Sequence, residues 1–219
     1  MIQLKAVKMT YAQSRDGQIV SIANVHTGLE CDCICIGCHG RLSAVNQWHF
    51  SHHQEIDEAN CQWTGESELH FKVKEYLEKH KQITVPIGFS NPSLFAIKFD
   101  EVLLEKSLRS IKRIPDITCY SSGERIIVEI KVTREVDKKK IADYKKVNAS
   151  VIEFDFSDVV LFSDVVSEVD IENYLKMHNG NWLSVAPVGE VAELFQAHER
   201  SITKSLIQGV LCPSPRNEP

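Results

Sequence analysis

Strand-like and helical segments alternating through the middle of the chain predict a mixed α/β domain. A small zinc-binding β module precedes it and a helical extension follows. Three observations carry this expectation. Five of the seven cysteines crowd between positions 31 and 61, among several histidines. A strongly patterned helix then opens a series of apolar strand-like runs. Beyond residue 158 the pattern turns mainly helical and ends in the Pro-rich PSPRNEP. The expected segments are 1–63, 64–158 and 159–219.

The first segment has short strand-like pieces and little room for a hydrophobic core. Its stretch CDCICIGCHGRLSAVNQWHFSHHQEIDEANC supplies Cys35 and Cys38 as CxxC, His49 and His52 as HxxH, and Cys61 further on. A CxxC knuckle followed by a second Cys/His pair is a ligand set for tetrahedral Zn²⁺. His49, His52 and Cys61 compete for the two remaining places, with His52 favoured. Cys31 and Cys33 are expected to face away, although a register using Cys33 is open. With no vacant coordination position and no HExxH pattern, the zinc reads as structural rather than catalytic. Such an ion supplies roughly 10–16 kcal/mol to a segment too small to fold by apolar burial alone.

In the second segment GESELHFKVKEYLEKH places Leu69, Val73, Tyr76 and Leu77 on one helical stripe. Glu66, His70 and Lys74 form a polar stripe beside it. QITVPIGF and FAIKFDEVLL read as strands joined by the turn-rich SNPS. IPDITCY and RIIVEIKVT follow, linked by SSGE as a hairpin. A charged helix, roughly 136–147, leads to a further strand in SVIEFDF. In the last segment LFQAHERSITKSLI is open between a packing helix and a homodimer contact.

The two hairpin strands hold charges where burial is expected. Strand alternation puts Ile127, Glu129 and Lys131 on one side of RIIVEIKVT. Pairing through SSGE would bring Asp116 to them from the neighbouring strand. Isolated buried charges are costly and call for partners, a metal or a reaction. Two carboxylates converging from adjacent strands make a hard oxygen site suited to Mg²⁺ or Mn²⁺. A lysine beside them can orient a water or neutralise charge growing on phosphorus.

Composition narrows the partners. At 219 residues, 43% hydrophobic and 25% charged, the chain has the make-up of a globular protein. No apolar run approaches the ~20 residues of a membrane helix. The start, MIQLKAVKMTYAQSRDG, shows no secretory pattern, so the cytoplasm is the expected compartment. A net charge of −5 gives no general support for nucleic-acid binding. Any such binding must come from local patches, for which KSLRSIKR at 106–113 and KKKIADYKK at 138–146 are candidates.

The arrangement PD, twelve residues, then E-x-K resembles the PD-(D/E)XK nuclease superfamily. More specifically, the order CxxC, HFSH, GESELHFKVK, PDI, VEIKVT, VIEFDFS resembles the CoiA-like competence protein family over residues 11–157. That resemblance implies a zinc-finger-like module and a PD-(D/E)XK, restriction-endonuclease-like mixed sheet with flanking helices. It implies that Asp116 and Glu129 bind Mg²⁺ or Mn²⁺, that Lys131 assists the attacking water, and that Glu66 and His70 complete the cleft. It further implies DNA rather than RNA as substrate, in competence, recombination or phage defence, with partner proteins from those systems. One departure is Ile36, where the family usually has a proline after the first knuckle cysteine. A non-catalytic zinc-containing adaptor is the rival expectation.

Overall fold

The computed structural model describes residues 7–54, 61, 63, 65–89, 91–132, 136–157, 164–177 and 180–211, apart from the side chains of residues 65–67 and 206–211. The described residues form a mixed α/β structure with a five-stranded mixed sheet and four α-helices. They divide into two compact units that interleave along the chain. The first comprises Met1–His80, Ile130–Arg134 and Asp155–Met177; the second comprises Lys81–Glu129, Glu135–Phe154 and His178–Pro219.

The first unit begins with two small antiparallel hairpins, β1 (Tyr11–Gln13) with β2 (Ile19–Ser21), and β3 (Leu42–Val45) with β4 (His49–His52). Their core consists of Met9, Ala12, Ile22, Cys33, Cys35, Leu42, Ala44 and Phe50, with Cys38, Cys61 and Trp63 packed against it. Helix α1 (Gly65–His80) spans the GESELHFKVKEYLEKH segment, and Leu69, Val73 and Leu77 of its apolar stripe are fully buried. Near its end Lys79 and His80 both pair with Glu168 on α3 (Glu168–Met177).

One residue of α1 resists the simple amphipathic pattern. Glu68 is completely buried, and its carboxylate accepts hydrogen bonds from the backbone N and the Oγ1 of Thr10. This ties the first strand region to the helix. Burial raises the Glu68 carboxyl to about 6, with the two Thr10 bonds opposing the rise.

The second unit contains the hairpin β5 (Gln82–Ile87) and β6 (Ser93–Lys98), followed by β7 (Glu101–Leu104), β8 (Ile117–Ser121) and β9 (Glu124–Lys131). Then come α2 (Lys138–Lys145), β10 (Ala149–Asp155), β11 (Asn181–Ser184) and α4 (Glu190–Leu211). The five-stranded sheet has the order β11-β10-β9-β8-β7. β9 and β10 are neighbours joined through α2, the crossover that a parallel pair requires.

FAIKFDEVLL, expected as one strand, is two. Its first half pairs with β5 and its second half with β8, and the chain turns between them at Phe99 and Asp100, where Asp100 accepts from Ser122 N. The strand β11 was not expected in a region that reads as helical. Its four residues are too few to show a period, and pairing with β10 supplies what local sequence does not.

Helices cover both faces of the sheet in this unit. Tyr144 of α2 packs with Ile127, Ala149 and Val151 on one face. On the other, buried Glu124 accepts from Ser150 Oγ and from Val191 N in the first turn of α4. Gly189 runs so close to Glu124 that a Cβ there would stand 2.6 Å from its carboxylate.

Two predictions follow from these buried carboxylates. Glu124→Ala leaves Ser150 and the α4 N-terminus without their acceptor and is expected to cost about 1–3 kcal/mol in urea unfolding. Glu68 binds its proton more tightly folded than unfolded, so its contribution to stability is full below its ordinary value of 4.5 and is lost as pH rises to about 6. Glu68→Gln should flatten the wild-type decline in unfolding free energy across that window.

Candidate metal centre and acidic strand pair

Cys35, Cys38, His52 and Cys61 of the first unit place four donor atoms within 4.8 Å of one another. Cys35 Sγ lies 3.3 Å from Cys61 Sγ, and Cys38 Sγ lies 3.2 Å from His52 Nε2. A tetrahedral zinc at its usual bond lengths separates its donors by about 3.5–3.8 Å, inside the observed spread. The local backbone fits the same purpose. Cys35 N donates to Gly40 O and His39 N to Cys35 O, closing a tight knuckle with His39 in the left-handed region at φ 59°. Gly37 N, Gly40 N and Trp63 N each point at a sulfur two positions back, at 3.3–3.4 Å.

Those N–H groups favour thiolates, whereas burial pushes the Cys35 thiol up to about 12 and raises that of Cys61. A cation resolves the conflict by replacing the protons. The donor set therefore fits a soft-to-borderline metal such as zinc.

Of the competing donors, His52 and Cys61 join the knuckle and His49 does not. The reason lies in strand geometry. His49 and His52 are three apart on β4, so their side chains leave opposite faces. His49 Nδ1 is buried without a hydrogen-bond partner among the described residues. Cys33 is fully buried in the core and donates to Cys31 O, while Cys31 donates to Leu42 O.

The acidic pair lies on the antiparallel ladder of β8 and β9. Its turn, Ser122–Gly123, has φ of 49° and 82°, the two left-handed positions of a type I′ hairpin. That turn sets Ile117 opposite Val128. Asp116 immediately precedes β8, one residue beyond that pair. Thr118, paired with Ile127, shares a face with Glu129, the face covered by α2.

Glu129 is only 3% exposed. Lys140 Nζ donates to its Oε2 at 2.7 Å and Tyr144 OH to its Oε1 at 2.6 Å, both from α2. Burial, then the Asp116 charge, raises the Glu129 carboxyl, and the Lys140 and Tyr144 bonds oppose that rise. Burial and the same carboxylates raise the Tyr144 phenol.

Lys131 stands two residues beyond Glu129 on β9. In the first unit its Nζ pairs with Asp155 at 2.7 Å. Against partial desolvation, the bonds from Lys131 and Ser157 hold the Asp155 carboxyl down at about 2. His70 donates from Nε2 to the carbonyl of Ile130 at 2.9 Å, so it grips the backbone of β9 between Glu129 and Lys131. Lys74, on the same helix stripe, is buried. The Glu66 side chain lies outside the described residues.

The sequence reading missed Lys140, Tyr144, Glu153 and Asp155. A signal existed for the last two, because SVIEFDF repeats the pattern of VEIKV, with acids at alternate places in an apolar strand. Glu153 is buried and accepts from Val136 N. Nothing in the local pattern of α2 marks Lys140 among its four lysines.

No protein-family model, curated protein or solved structure matches this chain.

The geometry separates the competing ligands experimentally. Cys38→Ser or His52→Ala should lose the bound metal, whereas His49→Ala should keep it, as measured by elemental analysis of the purified protein.

Proposed function

We propose that the protein is a metal-dependent nuclease of the PD-(D/E)XK type, with a structural zinc at Cys35, Cys38, His52 and Cys61. The observation that supports the reading is the register of β8 and β9, which pairs Ile117, the neighbour of Asp116, with Val128, the neighbour of the buried Glu129. Two carboxylate donors on one sheet face suit Mg²⁺ or Mn²⁺ better than a soft metal. A divalent ion bound there supplies Lewis acidity, polarising a phosphoryl oxygen and lowering the pKa of a nearby water.

The remaining steps belong to the chain. Asp116 and Glu129 hold the ion, and Lys131 orients the attacking water or neutralises charge developing on the phosphate. Asp155 pairs with Lys131 Nζ at 2.7 Å and holds that side chain in place. His70 acts as a positioning residue through the Ile130 carbonyl, and Glu66 at the start of α1 is the further acid the family resemblance assigns to the cleft.

DNA is the substrate the family resemblance favours. Of the two basic stretches, residues 106–113 and 138–146, three side chains are engaged inside the second unit: Arg113 and Lys146 with Asp143, and Lys140 with Glu129. Lys106, Arg109, Lys112, Lys138, Lys139 and Lys145 remain exposed. Leu108 and Ile111 pack against the cluster of Ile127, Tyr144, Ala149 and Val151, to which α2 contributes Tyr144. The two basic stretches supply cations, on a chain of net charge −5, suited to a phosphate backbone. Within the first unit, Arg41 of the zinc module is exposed and is a separate candidate for a phosphate contact. Among the described residues no helix is long and apolar enough to cross a membrane.

One observation favours the rival adaptor reading. Both oxygens of Glu129 are already occupied by Lys140 and Tyr144. In that case the fold binds nucleic acid, or a recombination or defence partner, without cutting, and α4 is open to a homodimer role.

A panel of single- and double-stranded DNA and RNA with Mg²⁺ or Mn²⁺ decides between them. Asp116→Ala and Lys131→Ala should each lower cleavage by ~10²-fold or more while circular dichroism stays unchanged. No cleavage in any arm, with DNA binding indifferent to Glu129→Ala and to chelator, would select the adaptor.

A further inference from the structure

The fully satisfied state of Glu129 has a consequence for ion binding. A carboxylate 3% exposed needs a countercharge, and the chain supplies one from the first turns of α2. Lys140 Nζ donates to Oε2 at 2.7 Å. Tyr144 holds the other oxygen and is neutral, so it does not compete for charge. On the same sheet face as Glu129, Thr118 is 1% exposed and its buried Oγ1 has no hydrogen-bond partner among the described residues. An unmet buried hydroxyl is a group that an incoming ion's water or a phosphate oxygen would satisfy.

We propose that Lys140 is the resident counter-ion of this site, competing with a divalent cation for Glu129 and released when the cation binds. This rests on the reading that Asp116 and Glu129 hold such a cation. A divalent cation and the Lys140 ammonium both need Glu129 Oε2, and the ion brings twice the charge to it. The Lys140 side chain is 24% exposed, so its stem has a path to solvent without moving the helix. Once released it joins exposed Lys138 and Lys139, where a third ammonium can take a phosphate oxygen of the nucleic acid. The same lysine thus guards the carboxylate in the resting protein and becomes a substrate contact in the loaded one.

Calorimetric titration of the full chain with Mn²⁺ at pH 8, after zinc loading, tests this. Lys140→Gln should bind Mn²⁺ roughly tenfold more tightly than wild type, within the usual range for coupled sites. Lys140→Arg keeps the charge and should match wild type. Equal affinities for Lys140→Gln and wild type, or loss of binding in Lys140→Gln, would overturn the proposal. Absence of Mn²⁺ binding in all three proteins would remove the metal reading itself, and this inference with it.

A second measurement needs no variant. Amine acetylation of wild-type protein, quantified peptide by peptide, should speed up several-fold at Lys140 when saturating Mn²⁺ is added and stay constant at Lys138. An unchanged Lys140 rate under saturating Mn²⁺ would also overturn the release.

Discussion

The pairing of β8 with β9 is the constraint on which the candidate chemistry depends. A two-residue turn at Ser122–Gly123 fixes that register, because both positions adopt backbone angles matched to the twist of an antiparallel ladder. A slip of one residue would send Asp116 to the opposite face from Glu129 and turn Ile127 away from Tyr144. Apolar packing and the acidic pair are therefore specified together. The core that rewards the correct register is the same arrangement that makes a buried carboxylate unavoidable. Lys140, Tyr144 and Glu124's partners show how the fold accommodates such groups, by meeting each with donors from a neighbouring helix or helix start.

The first unit solves a different problem. Its hairpins are short and its core is small, with cysteine side chains forming part of the apolar interior. Four donors converge at the edge of that core, and backbone N–H groups are aimed at three sulfurs before any ion is considered. Raised thiols and thiolate-favouring donors are contradictory demands for a metal-free protein. They are compatible once a cation displaces the protons.

Much of this was legible from residue order, for identifiable reasons. The span of α1 and its stripe through Leu69, Val73 and Leu77 were readable because a sixteen-residue segment repeats its period several times. The hairpin turn was readable from SSGE. The ligand set was readable only as five candidates, since spacing alone does not say that His49 and His52 sit on a strand and diverge. β11 was invisible because four residues carry no period, and the break at Phe99–Asp100 because both halves share one apolar character. The partners of Glu129 were hidden for a general reason. Which lysine of a charged helix folds inward depends on rotation about its axis, which the sheet decides.

The interleaving of the two units bears on how the chain is made. The first unit draws on residues as late as Met177, and its early segment is tied down by them. Lys8 donates to the carbonyl of Asp164, and Lys79 and His80 close on Glu168. During translation the amino-terminal hairpins leave the ribosome more than a hundred residues before these anchors exist. The nascent hairpins must wait, incompletely tethered, while most of the other unit is synthesised. A metal held by the local donors Cys35, Cys38, His52 and Cys61 would then be the earliest means of holding them in shape.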